Sequence, residues 1–160
     1  MKLYIMCGCS GAGKSTWIQN EMKNNPNSIW CSRDQVRFNM VKEEEEYFSK
    51  EDEVYLVWIE NIQRAIRENI ENIYIDATHL SEKARNKLLD SLCLTEECQL
   101  IPVNFHTSVE QCIANNENRT GRAYVPHSVI RNMYNSFKPA SFNERYKYHT
   151  IIDVGLEVDK

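Results

Sequence analysis

The chain has 160 residues, 42% of them hydrophobic and 26% charged. That is the make-up of one globular domain able to bury roughly 68–70% of its unfolded surface, and it excludes a disordered, collagen-like or disulfide-stapled chain. Nineteen Lys and Arg against 23 Asp and Glu leave a net charge of −4, which excludes a nonspecific coat for nucleic acid and requires any such contact to be local.

Lys2–Cys7, apolar and followed by glycines, reads as a buried strand. Lys14–Lys23 reads as a helix stopped by Asn24-Asn25-Pro26. Ser28–Ser32 is a second strand, and Arg33–Met40 a short helix with Asp34 in its first turn. The acidic run Glu43–Glu46 reads as a solvated helix start. Asp52–Asn69 sets Val54, Val57, Trp58, Ile62, Ala65 and Ile66 on one helix face. Asn72–Asp76 is a third strand ending in an acid, and Ser81–Leu92 a helix capped by Ser81. Gln99–Phe105 is a fourth strand, followed by a helix over Thr107–Asn116. Asn118–Tyr124 is polar, contains Gly121 and reads as a loop. Pro126–Phe137 reads as a helix and Thr150–Val154 as a fifth strand. Strand alternating with helix predicts parallel strands joined by crossover helices, a three-layer α/β sandwich. No repeat or linker interrupts the pattern, so residues 1–160 are expected to form a single domain.

The apolar runs are too short for a membrane span. No basic region followed by a long apolar stretch opens the chain, so a cytoplasmic location is expected, in the host cytoplasm for a viral protein. The six cysteines are then expected as free thiols. Cys7 and Cys9 lack a second pair at zinc-binding spacing.

Gly8-Cys9-Ser10-Gly11-Ala12-Gly13-Lys14-Ser15-Thr16 matches G-x-x-x-x-G-K-[ST], with an apolar strand before it and a helix after it. Glycines let such a loop turn its N–H groups inward around phosphate oxygens, and the helix start adds partial positive charge. Lys14 is expected on the β and γ phosphates of a nucleotide and Ser15 on Mg²⁺. A GTPase would read guanine through Asn-Lys-x-Asp. The nearest stretch, Asn86-Lys87-Leu88-Leu89-Asp90, is one residue too long and lies in a helical pattern. Motor and ring ATPases need longer chains, so a small phosphotransferase remains.

Ligands of an open α/β sheet lie beyond the carboxyl ends of its strands. The P-loop, Asp34, and the run Asp76-Ala77-Thr78-His79 all follow strands and should converge. A kinase acting on an alcohol needs a carboxylate to accept the hydroxyl proton. Asp34 is the candidate, although it also suits a helix N-cap. Arg37 lies one turn on. It suits an acceptor phosphate beside the reactive hydroxyl, or simply a partner for Asp34. Asp76 suits Mg²⁺, through water, or orientation of the loop. Thr78 and His79 are candidates for the acceptor groove, His79 equally for a structural role. Arg119 and Arg122, in a loop between helices, are candidates to neutralise the transferring phosphoryl group, or else solvated arginines. From Arg119 to Lys147 six basic residues meet one acid, a local +5 in an acidic chain.

Taken together, GCSGAGKSTW (Gly8–Trp17), SRDQVRF (Ser32–Phe38), IDATHLSEKAR (Ile75–Arg85) and RTGRAYVPHSVIRNMY (Arg119–Tyr134) resemble the bacteriophage polynucleotide kinase family, in its 5′-hydroxyl kinase domain. The resemblance implies an adenylate-kinase-like fold with a lid over a tunnel that admits a single-stranded 5′ end of DNA or RNA. It implies ATP and Mg²⁺ on Lys14 and Ser15, Asp34 as general base, Arg37 on the phosphate next to the terminal nucleoside, and Arg119, or else Arg122, on the donor phosphates. Three departures stand out. Asn115-Asn116 replaces an arginine–asparagine pair before the lid, the lid is one residue longer, and His79 stands where asparagine is common. The end at Lys160 leaves no phosphatase domain, so no 3′-phosphatase activity is expected. A small-metabolite or nucleoside kinase, and a nucleotide-binding module without turnover, are the alternatives.

Overall fold

Five runs form strands, β1 (Lys2–Cys7), β2 (Ser28–Ser32), β3 (Asn72–Asp76), β4 (Gln99–Phe105) and β5 (Ile152–Val154), and β1, β3 and β4 are buried on both faces. The structure, a computed structural model, describes residues 1–156. All four strand pairings are parallel, in the order β2-β3-β1-β4-β5. Side chains of β1 alternate between two cores, as strand pleating requires. Leu3, Ile5 and Cys7 join Ile73, Ile75, Trp58 and Leu88 on one face. Tyr4 and Met6 join Tyr74, Ile101, Val103, Ile18 and Ile130 on the other.

Between the strands run α1 (Lys14–Asn24), α2 (Arg33–Met40), α3 (Glu51–Arg67), α4 (Glu82–Asp90), α5 (Val109–Asn116) and α6 (His127–Ser136), with a 3-10 turn at Gly121–Ala123. The chain is thus the predicted three-layer α/β sandwich with a parallel sheet. Ser32, Ser81 and Ser108 cap their helices by accepting from Gln35, Ala84 and Gln111.

Two expectations are corrected. Glu43–Glu46 forms turns, not a helix start. Four adjacent carboxylates repel, and α3 begins only where Lys50 reaches back to Glu45 and the Met40 carbonyl. Val57 is exposed, because the buried stripe of α3 runs through Val54, Trp58, Ile62 and Ala65 instead. All six cysteines are free thiols. Among the described residues no helix is long and apolar enough to cross a membrane.

Candidate active site

β1 runs straight into the glycine loop, and α1 starts at Lys14. Gly11 and Gly13 hold left-handed φ values of 82° and 96°. Gly13 is the N-cap of α1. No side chain caps this helix and no acid stands in its first turn, so its leading N–H groups are left for an anion. A Cβ on Gly13 would meet nothing within 4 Å, whereas one on Gly11 would collide with the Cys112 carbonyl oxygen. The loop is therefore open on its ligand side and pressed against α5 on the other. A nucleotide's phosphate tail fits this open side.

The loop is held from four directions. Gly8 N donates to the Thr78 carbonyl at 2.8 Å. Thr107 Oγ1 donates to the Ala12 carbonyl at 2.7 Å, and Asn115 Nδ2 to the Gly11 carbonyl at 2.8 Å. Lys14 Nζ donates to the carbonyls of Gly8 at 2.9 Å and Cys9 at 2.7 Å. Burial pulls the Lys14 pKa down, while the charges of Asp76 and Asp34 push it back up. Ser10 Oγ faces the Met133 sulfur at 3.6 Å, and Ser15 and Thr16 lie exposed at the start of α1.

Asp34 sits in the first turn of α2, but the N-cap is Ser32, whose hydroxyl accepts from Gln35 N at 3.1 Å. That frees the Asp34 carboxylate, 71% exposed, for other work. Ser32 pairs with Asp76 across β2 and β3, which brings Asp34 beside the end of β3. Asp76 accepts from Trp30 Nε1 at 2.9 Å. Burial raises its pKa; the Lys14 ammonium and the Trp30 hydrogen bond oppose this, and Asp34 adds to it. Lys14, Asp34 and Asp76 thus share one rim and one field.

Arg37 is the Asp34-paired arginine. Its guanidinium is buried, and Nη1 donates to Asp34 Oδ1 at 2.5 Å. Nε and Nη2 grip the two oxygens of Glu51 at 2.5 and 2.9 Å. The rings of Tyr47 and Phe48 pack against it, each 5.1 Å from the centroid. A free fork for an acceptor phosphate is not what the structure presents at this position.

Thr78 serves the site through its backbone carbonyl on Gly8. The expectation for His79 is corrected. Its φ of 42° turns the ring into the core, where Nδ1 meets the Met6 carbonyl at 2.7 Å and the ring stacks on Trp58 at 5.8 Å. It is 5% exposed and lines no acceptor groove. Burial lowers its pKa to about 4, so the ring is neutral at neutral pH.

The two lid arginines part ways. The Arg119 charge is felt by both Lys14 and Asp76. Arg122 points elsewhere, donating to the Val41 carbonyl at 2.6 Å and lying over Phe38 at 5.2 Å. The predicted catalytic duty of Arg122 is therefore corrected, because its guanidinium is spent on the segment after α2. The lid is anchored at its base by Asn116, whose amide donates to the Val125 carbonyl at 2.6 Å and accepts from Val125 N at 2.9 Å.

Sequence reasoning missed Glu51, Trp30, Thr107 and the work of Asn115. Glu51 and Trp30 act through contacts between elements, which no local pattern encodes. Asn115 was visible only as a departure from the arginine of related kinases, and that departure is what ties α5 to Gly11.

The sequence profile of the AAA domain family (AAA_33) matches residues 3–140. The chain belongs to the AAA domain family. No curated protein matches this AAA domain in sequence. Among solved structures it is similar to a chain of the Pnkp1/Rnl/Hen1 RNA repair complex, 23% identical with a TM-score of 0.71 over 90% of this chain and 50% of that one. A fungal RNA kinase is 13% identical, with a TM-score of 0.62 over 99% of this chain and 39% of that one. A deoxyadenosine kinase from M.mycoides is 18% identical, with a TM-score of 0.54 over 98% and 92%. The AAA domain thus spans half or less of the first two chains, and nearly the whole deoxyadenosine kinase.

Proposed function

We propose that this AAA domain is, over residues 1–160, an ATP-dependent polynucleotide kinase that transfers the γ-phosphate of ATP to the 5′-hydroxyl end of single-stranded DNA or RNA. The observation that carries the reading is Asp34: an exposed carboxylate, not used as a cap, fixed by a buried arginine on the same rim as Lys14. A general base must be oriented and reachable, and Asp34 is both. Its role is to accept the hydroxyl proton as the acceptor oxygen approaches the γ-phosphorus.

In this reading the loop N–H groups and Lys14 hold the donor phosphates. Ser15, with Asp76 through water, would hold Mg²⁺, which supplies charge neutralisation when bound. Arg119 adds positive charge over the phosphoryl group. The likeness to two RNA-acting structures supports the acceptor class.

A second reading, a small-metabolite or nucleoside kinase, is favoured by the state of Arg37. With Glu51 and Asp34 on its fork, no arginine beside the base waits for an acceptor phosphate. One assay separates the two. Labelled ATP is offered with 5′-OH DNA, 5′-OH RNA, a 3′-nucleotide, a nucleoside and a sugar. Label on the oligonucleotide ends is the expected result. Label confined to the nucleoside or sugar would replace the first reading by the second.

A further inference from the structure

A cleft of 480 Å³ opens between α2 and the lid, lined by Phe38, Glu43, Thr120, Gly121, Arg122 and Ala123. That volume is ordinary for a small-ligand site. A larger cleft of 970 Å³ follows the polar outer face of α4 beside Arg145 and includes no residue of the phosphate rim.

The smaller cleft adjoins the base candidate. Phe38 follows Asp34 by four residues on α2, so the two share a face with about 6 Å of rise between them. That is the scale of the step from a 5′-oxygen across its ribose to the base. Arg122 closes the cleft with a flat wall. Its guanidinium lies 5.2 Å from the Phe38 centroid and 5.7 Å from that of Tyr47, and the Val41 carbonyl fixes it at 2.6 Å. Glu43 enters the same cleft. Glu45 is paired with Lys50, whereas the exposed Glu43 pairs with no cation among the described residues.

We propose that this cleft takes the nucleobase of the acceptor's 5′-terminal nucleotide, packed against Phe38 and Arg122, and that Glu43 selects bases bearing an amino group. The inference rests on the polynucleotide-kinase reading and adds a specificity to it. Aromatic rings and guanidinium planes stack any base, because every base has a π face. Selection comes from the carboxylate, which only accepts hydrogen bonds. Guanine, cytosine and adenine each offer it an amino group. Uracil and thymine lack an amino group, and their single N–H donor stands between two carbonyl oxygens, which a carboxylate repels.

The test uses oligonucleotides identical except at the 5′ residue, which is G, A, C, U or abasic. Their kcat/KM values as acceptors are compared in the wild type, Glu43→Ala, Glu43→Gln and Phe38→Leu. The abasic end should be weakest in the wild type, and U should fall below the amino-bearing bases by about tenfold, the worth of one charge-assisted hydrogen bond. Glu43→Ala should erase the discrimination against U, Glu43→Gln should narrow it, and Phe38→Leu should bring all base-bearing ends toward the abasic value. Glu43 is on the surface, so its variants are read without a folding defect. Equal rates for abasic and base-bearing ends overturn the inference alone, as does discrimination that survives Glu43→Ala. A parallel rise in the KM for ATP would assign the cleft to the donor and also overturn it. Failure to label any oligonucleotide end removes the polynucleotide reading and this inference with it.

Discussion

Arg37 and Asp34 form one unit, in which a buried guanidinium donates across 2.5 Å to a carboxylate that is 71% exposed. Glu51 holds the other side of the same guanidinium with both oxygens. Burial alone would weaken the cation, but the hydrogen bonds to Glu51 and Tyr47 and the charges of Asp34 and Glu51 together more than offset it, and the Arg37 pKa is raised. The chain Glu51–Arg37–Asp34 therefore fixes the carboxylate while leaving it accessible.

Asp34→Asn keeps the shape and removes the proton acceptor. Turnover should fall by on the order of 10²–10⁴ in kcat, with ATP binding retained. Steady-state kinetics together with ATP titration checks this. A variant with wild-type kcat would remove Asp34 from the chemistry.

Arg37→Ala should act on the base and on the fold together. It leaves Glu51 without its main partner and frees the Asp34 side chain, at a stability cost of about 2 kcal/mol. Because the pair positions Asp34, kcat should drop for every acceptor alike. A loss confined to acceptors with a phosphate next to the hydroxyl would instead give Arg37 a direct contact. Urea unfolding and the acceptor panel separate the two outcomes.

Arg119→Ala should lower kcat by about 10²-fold or more with little change in melting temperature, as expected for a donor aimed at developing charge. Arg122→Ala should lower it less, because that guanidinium is committed to Val41 and Phe38. Equal losses would mean that the lid rearranges on binding.

Much of the fold was legible because the strands are apolar runs, closed by Gly8, Ser32, Asp76 and Gly155 at four of them, and because α1, α2, α4, α5 and α6 carry a cap or stop in sequence. The glycine loop was legible for the same local reason. The partners of the site residues were not. Arg37 meets Glu51 fourteen positions away, and Arg85, fully buried, meets Glu144 across fifty-nine. Nothing in IDATHLSEKAR says that His79 turns inward, since a left-handed backbone at a non-glycine residue is set by the packing of Trp58 and Met6 around it. The exposed Glu43–Glu46 turns carry no apolar period by which to tell turn from helix.

His79 makes stability depend on pH. Its folded pKa, about 4, lies below the ordinary 6.5. Between those values the unfolded chain binds the proton and the folded one does not, so stability rises with pH through this window. The contribution is whole above about pH 6.5 and is lost as pH falls toward 4. His79→Asn tolerates the left-handed backbone and removes the proton site. Its melting temperature should fall less than that of the wild type between pH 6.5 and 4. Parallel curves would show that other groups govern acid unfolding.

The two left-handed glycines of the loop should respond differently to alanine. Gly13→Ala meets open space and should cost about 1 kcal/mol of backbone strain. Gly11→Ala adds a collision with the Cys112 carbonyl, which is backbone and cannot step aside, and should cost more than about 2 kcal/mol. Thermal melts of the two variants check the order, and a smaller loss at Gly11 would refute the close approach of α5.

That approach makes the shape of the phosphate cradle a shared property. Helix α5 presses on Gly11 through Cys112 and holds it through Asn115, and one residue later Asn116 clasps the root of the lid at Val125. Cradle and lid are thus soldered to the same short rod, so a swing of one is transmitted to the other without any relay of side chains between them.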